Sequence, residues 1–391
     1  MRVFYFGREF QANGHDVSLI TSAFSHKYFK QPETHRGMTY GQVRGLRYCW
    51  LPTLPYSGNG LRRMVNHLQF ALALDARGKR LRLPHPDVII ASSPPPLLLP
   101  ATLRIARHFN AKLAFEVRDL WPLSVQELNN MSRWHPAIQL MAHCEKTGYR
   151  GASVVVSALP LAREYMESRG MQPGKFTHIP NGVHIKETLA HAQPLNDEAS
   201  AALARVHGKK LVGYVGAHNR ANALDSLLRA AALVQRQTDG VHFILVGTGY
   251  EKPALVALAH EMRLKNVTFL EAIPRDQVQA LLTELDVCFI GLKRESVFRF
   301  GISPNKMFEY MLAGKPIVSA IDAGNDLVAE AGCGRTVTAE DPAAIAAGIL
   351  QIADADRSEL GRMGRNARRY VEQTHSIEQL AVSYIDALRA Q

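Results

Sequence analysis

Cysteine is scarce in this sequence, and long apolar runs are missing. The four cysteines, at positions 49, 144, 288 and 333, lie far apart and form no CxxC pair. This spacing argues against a disulfide framework and against a cysteine zinc site, and it suits a reducing compartment. No stretch reaches the roughly 18 consecutive apolar residues that a membrane-spanning helix needs, and the N-terminus lacks the layout of a signal peptide. We therefore expect a cytoplasmic protein.

The composition is that of folded, globular protein. The chain has 391 residues, of which 47% are hydrophobic and 21% are charged. Its length corresponds to two or three domains at roughly 150 residues each. A chain with this much apolar surface can offset the entropy of ordering, so disorder is excluded as its main state.

The positive charge is confined to one half of the chain. Residues 1–190 contain 24 Lys and Arg against 12 Asp and Glu, a net charge of +12, whereas the remaining residues contain 22 against 23, a net charge of −1. This asymmetry indicates that only the N-terminal half faces an acidic partner, either nucleic acid or the anionic cytoplasmic leaflet of a membrane. Charge alone slightly favours a plainer alternative, a solvated basic face without a partner.

Short apolar runs alternate with amphipathic stretches in both halves, a pattern typical of parallel sheets covered by helices. It predicts a Rossmann-like domain over 1–186, a linker over 187–208, a second Rossmann-like domain over 209–365 and a C-terminal segment over 366–391. The predicted strands are 17–20, 88–91, 113–116 and 154–156 in the first domain, and 211–215, 242–246, 267–269, 287–290 and 316–319 in the second. Ligands of such doubly wound sheets bind at the carboxyl ends of the strands.

The first residues predict a helix rather than a strand. A strand at Val3–Phe6 would leave only ten residues before the strand at Val17, too few for a parallel crossover. Val3, Phe6 and Phe10 instead recur with helical spacing, and Gly14 stands where a helix-terminating glycine belongs. The strand that normally precedes such a helix is therefore expected to be missing.

Residues 301–316, GISPNKMFEYMLAGKP, are the most specific feature. Ser303 and Asn305 are predicted to cap a helix that continues through Met307–Leu312. The first turn of that helix would direct free N–H groups and a positive dipole end at a phosphate. Lys306 would add a point charge at the same place. A capped core helix with exposed charges is the structural alternative.

This run resembles the donor-binding signature of family 4 retaining glycosyltransferases, which have the GT-B fold of two Rossmann-like domains facing a cleft. Five further segments agree in order and spacing: 13–17 NGHDV, 91–96 ASSPPP, 116–122 EVRDLWP, 179–183 IPNGV and 246–249 VGTG. Within the family, the chain looks most like enzymes of bacterial surface polysaccharide synthesis, including transferases of N-acetylated amino sugars such as fucosamine.

The resemblance implies an acceptor-binding first domain, a nucleotide-sugar-binding second domain and a final helix, Ile377–Ala390, that packs back across both. It implies transfer of an N-acetylated amino sugar from a UDP-sugar to a lipid-linked oligosaccharide, at the inner face of the plasma membrane. The basic N-terminal domain would meet the anionic membrane surface there. We expect no cofactor apart from the donor substrate, no essential metal and no nucleic acid partner.

The donor-site candidates follow strands of the second domain. Glu309 would accept hydrogen bonds from a ribose, as the equivalent glutamate of the family does, and Ile273–Pro274 would contact the base or merely pack. The other candidates are Gly216, Arg220, Gly247, Gly249, Ser303, Pro304, Asn305 and Lys306. The glycines allow close backbone approach to phosphates, although a glycine-rich turn alone is a weak signal.

The acceptor-site candidates follow strands of the first domain. Arg118 and Asp119 end one predicted strand, and Ser92 and Ser93 end another. Asp119 would orient or deprotonate the acceptor hydroxyl. Capping of the turn before Trp121 by the same carboxylate is an equally good interpretation.

The sequence departs from the family pattern at three places. Gly301 stands where the first of two glutamates, eight residues apart, is expected, and Glu295 is out of register with it. Ala217 and Asn222 occupy positions where the family often carries Arg and Lys, which leaves Arg220 and Lys306 to hold the diphosphate. The third departure is the missing first strand with its glycine-rich loop, for which a misassigned or truncated start is the favoured explanation.

Two other signals have ordinary alternatives. The DxD spacing of residues 354–356 lies in a polar, helix-like stretch, where a solvated helix face is the favoured interpretation. The basic residues Arg77, Lys79, Arg80 and Arg82 follow the amphipathic stretch 61–74. Together they suit either a membrane surface or an ordinary core helix with a solvated end.

Three rival functions remain open. A UDP-sugar epimerase on the same fold would need its own cleft acids and histidines, which are not evident. A truncated, inactive family member would show impaired folding. A nucleic-acid binder is disfavoured because the basic half has no recognisable nucleic-acid motif.

Overall fold

The structure is a computed structural model that describes residues 2–24, 37–56, 58 and 60–390. The chain forms two compact units. The first comprises Met1–Pro180 and Leu380–Gln391, and the second comprises Asn181–Gln379.

The first unit contains two sheets with surrounding helices. Its strands are β1 (Ser18–Ser22), β2 (Thr39–Val43), β3 (Leu46–Leu51), β4 (Val88–Ser92), β5 (Lys112–Val117), β6 (Val154–Ser157) and β7 (Phe176–His178). Its helices are α1 (Arg2–Ala12), α2 (Leu61–Arg77), α3 (Leu99–Phe109), α4 (Leu123–Asn129), α5 (Pro136–Gly151) and α6 (Arg163–Ser168).

The larger sheet, β4-β5-β6-β7, is parallel throughout, and β5 and β6 are almost entirely buried. Burial on both faces explains why these strands are continuous apolar runs in the sequence. The smaller sheet has the order β1-β3-β2, with β1 parallel and β2 antiparallel to β3. The sequence patterns missed β2, β3 and β7. Two of these strands, β2 and β7, contain few apolar residues.

The predicted N-terminal helix is confirmed as α1. Its Phe6 and Phe10 are buried against Val154, Val156 and Tyr384. Gly14, with φ of +86°, follows the helix in the left-handed region that favours glycine.

The second unit is a single six-stranded sheet with helices. Its strands are β8 (Lys210–Val215), β9 (Val241–Val246), β10 (Val267–Leu270), β11 (Val287–Gly291), β12 (Ile317–Ala320) and β13 (Gly334–Thr336). Its helices are α7 (Ile185–Ala190), α8 (Asp197–Ala204), α9 (Leu224–Gln235), α10 (Lys252–Glu261), α11 (Val278–Glu284), α12 (Asn305–Leu312), α13 (Leu327–Ala331), α14 (Pro342–Ala353) and α15 (Arg357–Thr374).

All strands of the second unit are parallel, in the order β10-β9-β8-β11-β12-β13. The strand order therefore reverses between β8 and β11. A crevice forms at such a reversal point, outside the carboxyl ends of the two strands, and it is the usual ligand position in doubly wound sheets. The strand order therefore predicts a ligand site at the segments that follow Val215 and Gly291.

The segment expected as a linker, 187–208, is largely structured and belongs to the second unit. It contains most of α7 and all of α8, and Ala199, Ala202 and Leu203 of α8 lie in the core of that unit. The last helix, α16 (Ile377–Arg389), brings the chain back to the first unit, where Ala381 and Tyr384 are buried in the core.

A buried ion pair joins the first helix to the larger sheet of the first unit. The Arg2 Nε donates to Glu116 Oε1 at 2.9 Å, and the two side chains are only 5% and 3% exposed. Arg2 also donates to the carbonyl oxygens of Ile179 and Pro180, and Ser92 Oγ donates to the other carboxylate oxygen. Although burial opposes it, the pKa of Glu116 lies below its usual value because of the Arg2 charge and these hydrogen bonds.

We predict that Arg2→Met destabilises the first unit by about 3–5 kcal/mol, because the Glu116 charge is left buried without its partner. Adding Glu116→Gln should restore part of that loss. Urea unfolding followed by tryptophan fluorescence measures this unit selectively, since all three tryptophans (50, 121 and 134) lie in it. Arg107→Met, at an exposed position of α3, is the matched control. Equal stability of Arg2→Met and this control would contradict the prediction.

Candidate functional site

The first turn of α12 differs from the capping that the sequence predicts. The N-cap residue is Pro304, and no side chain caps the helix, so the prediction that Ser303 and Asn305 cap it is wrong. Asn305 is instead the first helical residue, and proline leaves the turn without a capping oxygen. The N–H groups of the first turn therefore lack a side-chain cap and can serve an anion.

Ser303 is used to hold the neighbouring loop. Its hydroxyl accepts a hydrogen bond from the Asn181 backbone N–H at 2.8 Å, and its carbonyl accepts from the Asn181 side-chain amide at 2.7 Å. Asn181 belongs to the segment 179–183, which the sequence analysis had only matched by pattern. Two of the matched motifs thus meet at the start of α12.

The Lys306 amino group is enclosed by one residue of β8 and one of the turn after that strand. Its Nζ donates to the Tyr214 hydroxyl and to Asn222 Oδ1, both at 2.8 Å, and it lies 4.4 Å from the centre of the Tyr214 ring. Asn222 is held in turn by hydrogen bonds from its amide nitrogen to Ala217 O and Asn219 Oδ1. The asparagine found in place of a family lysine is therefore an acceptor that fixes the remaining lysine.

Burial lowers the pKa of Lys306 to about 7. Its hydrogen-bond acceptors, the Tyr214 hydroxyl and the Asn222 amide oxygen, are neutral, so they compensate the charge only partly. Near neutral pH the amino group is therefore poised to gain a proton when an anion approaches, and to lose it when the anion leaves.

Glu309 lies one helical turn beyond Lys306 and already has a cationic partner. The Arg275 Nη2 donates to Glu309 Oε1 at 3.2 Å, and the two side chains are 42% and 23% exposed. Burial raises the pKa of Glu309, although the Arg275 and Lys306 charges oppose the rise. A partly exposed carboxylate that keeps a lone pair can accept hydroxyl groups of a ligand.

The predicted glycines allow two loops to pack backbone against backbone. A Cβ on Gly247, where φ is +145°, would lie 1.9 Å from the carbonyl oxygen of Gly216. One on Gly249 would lie 2.1 Å from the carbonyl oxygen of His218, and one on Gly216 would lie 3.2 Å from Lys306 Nζ. Side chains would therefore push these loops apart, whether or not a nucleotide approaches them.

His218 is a buried residue that the sequence patterns did not select. It is fully buried, and neither ring nitrogen has a hydrogen-bond partner among the residues that the structure describes. Burial and then the charge of Lys252 lower its pKa to about 4, so the ring is neutral. It packs against Tyr214 and Phe269 below the glycine loops.

Arg220 lines a cavity of about 330 Å³ at the reversal point of the sheet. The other lining residues are Asn219, Leu224, Asp225, Glu251, Leu255 and Lys293. Lys293, which follows β11, is paired with Asp225 and Glu340 at 3.1 and 2.9 Å. The predicted clamp Arg220 is exposed, on the same turn whose last residue, Asn222, holds Lys306.

The candidates of the first unit follow neighbouring strands, as expected. Ser92 Oγ donates to Glu116, and Ser93 Oγ accepts from the Arg118 N–H at 3.3 Å, so both hydroxyls support the local structure. Arg118 is half-buried, whereas Asp119 is exposed and its carbonyl accepts from the Trp121 N–H. Among these four, Arg118 and Asp119 carry the polar groups with the better access to a ligand.

One of the sequence departures and the DxD spacing have local explanations. Gly301 ends a short 3₁₀ helix, Ser296–Phe300, with φ of +91°, so a glutamate there would be strained. Asp356 of the DxD spacing is the N-cap of α15, where its carboxylate accepts from the Glu359 N–H. Both acidic residues of this spacing are exposed, as expected, but they flank α14 and α15 rather than lie on one helix face.

Three contributors to the site had not been expected from the sequence: Arg275, Tyr214 as a lysine partner, and His218. Arg275 directly follows the Ile273–Pro274 pair at the carboxyl end of β10, and that position was the available signal. Tyr214 and His218 are buried, and no sequence pattern separates a buried polar residue of a site from one of a core.

Comparison with known proteins gives family matches on both halves of the chain. Residues 2–182 match the "Glycosyl transferase 4-like domain" and residues 209–355 match "Glycosyl transferases group 1". The chain is 23% identical over 310 residues to the "Probable glycosyltransferase WbjE" of Pseudomonas aeruginosa, covering 78% of this chain and 75% of the relative. It is 22% identical to the "Putative colanic acid biosynthesis glycosyl transferase WcaI" of Escherichia coli K12, covering 97% and 93%.

Solved structures share the fold at lower identity. Sucrose-phosphate synthase from Thermosynechococcus elongatus matches with a TM-score of 0.74 and 20% identity, covering 99% of this chain and 92% of that one. Anabaena HepE in complex with UDP and glucose matches with a TM-score of 0.64 and 16% identity, covering 89% and 87%. These likenesses confirm the GT-B fold with its two Rossmann-like domains.

Two features are absent from the described ranges. No helix within 2–24, 37–56 or 60–390 is both long enough and apolar enough to cross a membrane. The same residues contain no group of three or more His, Cys, Asp or Glu side chains that could hold a metal ion.

We predict that anion binding at α12 weakens with rising pH. A bound anion raises the pKa of Lys306 above about 7, so the complex holds more protons than the free chain above that pH, and affinity must fall there by up to about tenfold per pH unit. Sulfate is a suitable probe because its own charge is constant in this range. The measurement is the shift in melting temperature on replacing chloride by sulfate, at pH 7, 8 and 9.

Lys306→Met is the control, because it lacks the titrating group and retains only the general stabilising effect of sulfate. The shift of the wild-type chain should exceed that of the control at pH 7 and approach it at pH 9. A difference that stays constant between pH 7 and pH 9 would count against the titration of Lys306.

Proposed function

Given that this chain belongs to the group 1 glycosyltransferases, we propose that it transfers an N-acetylated amino sugar from a UDP-sugar to a lipid-linked oligosaccharide. The acceptor lies on the inner face of a bacterial membrane, which the basic first unit meets, and the product belongs to a surface polysaccharide. The anomeric configuration of the donor sugar is retained. The relative named for colanic acid biosynthesis supports the polysaccharide assignment.

One observation carries the proposal: the uncapped first turn of α12 and the enclosed Lys306 amino group lie together. Breaking the glycosidic bond of a nucleotide sugar places a full negative charge on the departing diphosphate. Helix N–H groups and an ammonium aimed at that charge stabilise the transition state more than the ground state. Both features are fixed by the structure of this unit before any ligand binds.

The roles of the other residues follow from their positions. Glu309 accepts the ribose hydroxyls of the donor, and Arg275 orients its carboxylate. Gly216 and Gly247 let the backbone approach the phosphates, and Arg220 provides a second charge on the diphosphate. In the first unit, Asp119 orients the acceptor hydroxyl and receives its proton, while Arg118 steadies the acceptor.

The donor class rests on the match to HepE, which was solved with UDP and glucose. A uracil nucleotide needs a base pocket next to the ribose site, and Ile273 follows β10 beside Arg275. Ile273 also packs on the core of the second unit, so its backbone is held in place.

We predict that UDP and UDP-N-acetyl amino sugars raise the melting temperature of the chain by about 5 °C or more at saturating concentration, whereas GDP does not. Glu309→Gln should reduce this shift and lower the rate of sugar transfer by about 10-fold or more, because ribose loses a charged acceptor. Glu284→Gln, at an exposed site near the end of α11, is the matched control.

Transfer is measured with radiolabelled UDP-N-acetylglucosamine and membrane lipid extract. Unchanged transfer in Glu309→Gln would remove the donor-site assignment. Conversion of the UDP-sugar to its epimer without added acceptor would replace the transferase by the epimerase.

A further inference from the structure

Helix α2 in the first unit presents an apolar strip to solvent. Val65, Leu68 and Leu72 are 42%, 40% and 60% exposed, and their spacing of three and four residues places them on one face. The opposite face carries Ala71 and Leu74, which are buried in the unit. The helix is therefore apolar on both sides, although only one side has a partner within the described residues.

Leu54 extends the strip and is held to the helix. Its carbonyl accepts a hydrogen bond from Asn66 Nδ2 at 2.7 Å, and its N–H donates to Gln69 Oε1 at 2.9 Å. The Leu54 side chain is 61% exposed. Two hydrogen bonds thus fix an exposed leucine beside α2, so the apolar surface is formed before any partner arrives.

Basic residues stand at both ends of this strip. Arg62 is exposed in the first turn of α2, and Arg77, Lys79, Arg80 and Arg82 are exposed at and beyond its last turn. Residues 51–110 contain eight Lys and Arg but only two acidic residues, Asp75 and Asp87, a net charge of +6. Asp75 is neutralised by an ion pair with Arg104 at 2.8 Å. The surface around the apolar strip is therefore cationic.

We propose that this α2 face, defined by Leu54, Val65, Leu68 and Leu72 with the basic residues at its ends, docks on an anionic lipid bilayer. Leucine side chains enter the boundary between headgroups and acyl chains, while Lys and Arg contact lipid phosphates. The surface suits a bilayer better than the alternatives. The phosphate backbone of a nucleic acid would leave the apolar strip without an apolar partner, and a second, equally cationic copy of the chain would be repelled. The inference rests on the proposed function, in which the acceptor is carried by a membrane lipid.

The test is sedimentation of the full chain with vesicles of phosphatidylcholine, with or without phosphatidylglycerol. The chain should bind the mixed vesicles and not the neutral ones. Replacing Arg77, Lys79, Arg80 and Arg82 together by Gln should weaken binding by about 600-fold, at roughly fivefold per charge. Leu68→Ser combined with Leu72→Ser should weaken it by at least about 10-fold.

Two matched controls lie in the second unit. Four exposed arginines of α15 (357, 362, 365 and 369) are replaced together by Gln, and the exposed Leu189 and Val256 are replaced together by Ser. Both control variants should bind vesicles like the wild-type chain. Circular dichroism and the UDP-induced shift in melting temperature are recorded for each variant, so that misfolding and loss of the donor site are recognised separately.

Binding to mixed vesicles that neither set of α2 substitutions weakens would overturn the proposal, even if UDP binding and transfer stay intact. Self-association that disappears with the leucine substitutions, without vesicle binding, would assign the face to a second copy instead. Retention of DNA or RNA that the four Gln substitutions abolish, again without vesicle binding, would assign it to nucleic acid. Absence of UDP binding with vesicle binding intact would contradict the proposed function and leave the α2 face supported.

Discussion

The hydrogen bonds from Lys306 to Tyr214 and Asn222 join the parts of the second unit on which its site depends. Tyr214 is the penultimate residue of β8, Asn222 closes the turn after that strand, and Lys306 lies in the first turn of α12, the helix before β12. The same turn carries Arg220 into the cavity at the reversal point of the sheet. Because the neutral partners of the buried ammonium compensate its positive charge only partly, the site lacks negative charge. An anionic ligand supplies that charge.

The arrangement also explains the strict backbone requirements around the site. Gly247 and Gly249 let the loop after β9 press on the loop after β8, and Lys252 fixes the first of these loops through the carbonyl oxygens of Gly247 and Leu270. His218 fills the space beneath them as a neutral ring. The polar groups at the surface of the site are thus positioned by tightly packed backbone, which a flexible loop would not achieve.

The sequence alone was sufficient to predict the long buried strands and the N-terminal helix, because apolar runs such as Val241–Val246 and the helical spacing of Phe6 and Phe10 carry strong patterns. Sequence patterns failed where the role of a residue depends on neighbours that are distant in the chain. Ser303 was predicted to cap α12 but accepts hydrogen bonds from the Asn181 loop, 122 residues away in sequence. Arg275 and Tyr214 entered the site only through contacts with residues distant in the chain. The strand β2 lacks the apolar run that identifies a buried strand.

The account predicts that the Lys306 ammonium contacts the terminal phosphate of a bound nucleoside diphosphate. Isothermal titration of UDP and UMP into the wild-type chain and Lys306→Met tests this most directly, since the two ligands differ only by that phosphate. The wild-type chain should bind UDP at least about tenfold more tightly than UMP, and Lys306→Met should bind the two with nearly equal affinity. If Lys306→Met keeps the full preference for UDP, the phosphate is held elsewhere and the account is wrong.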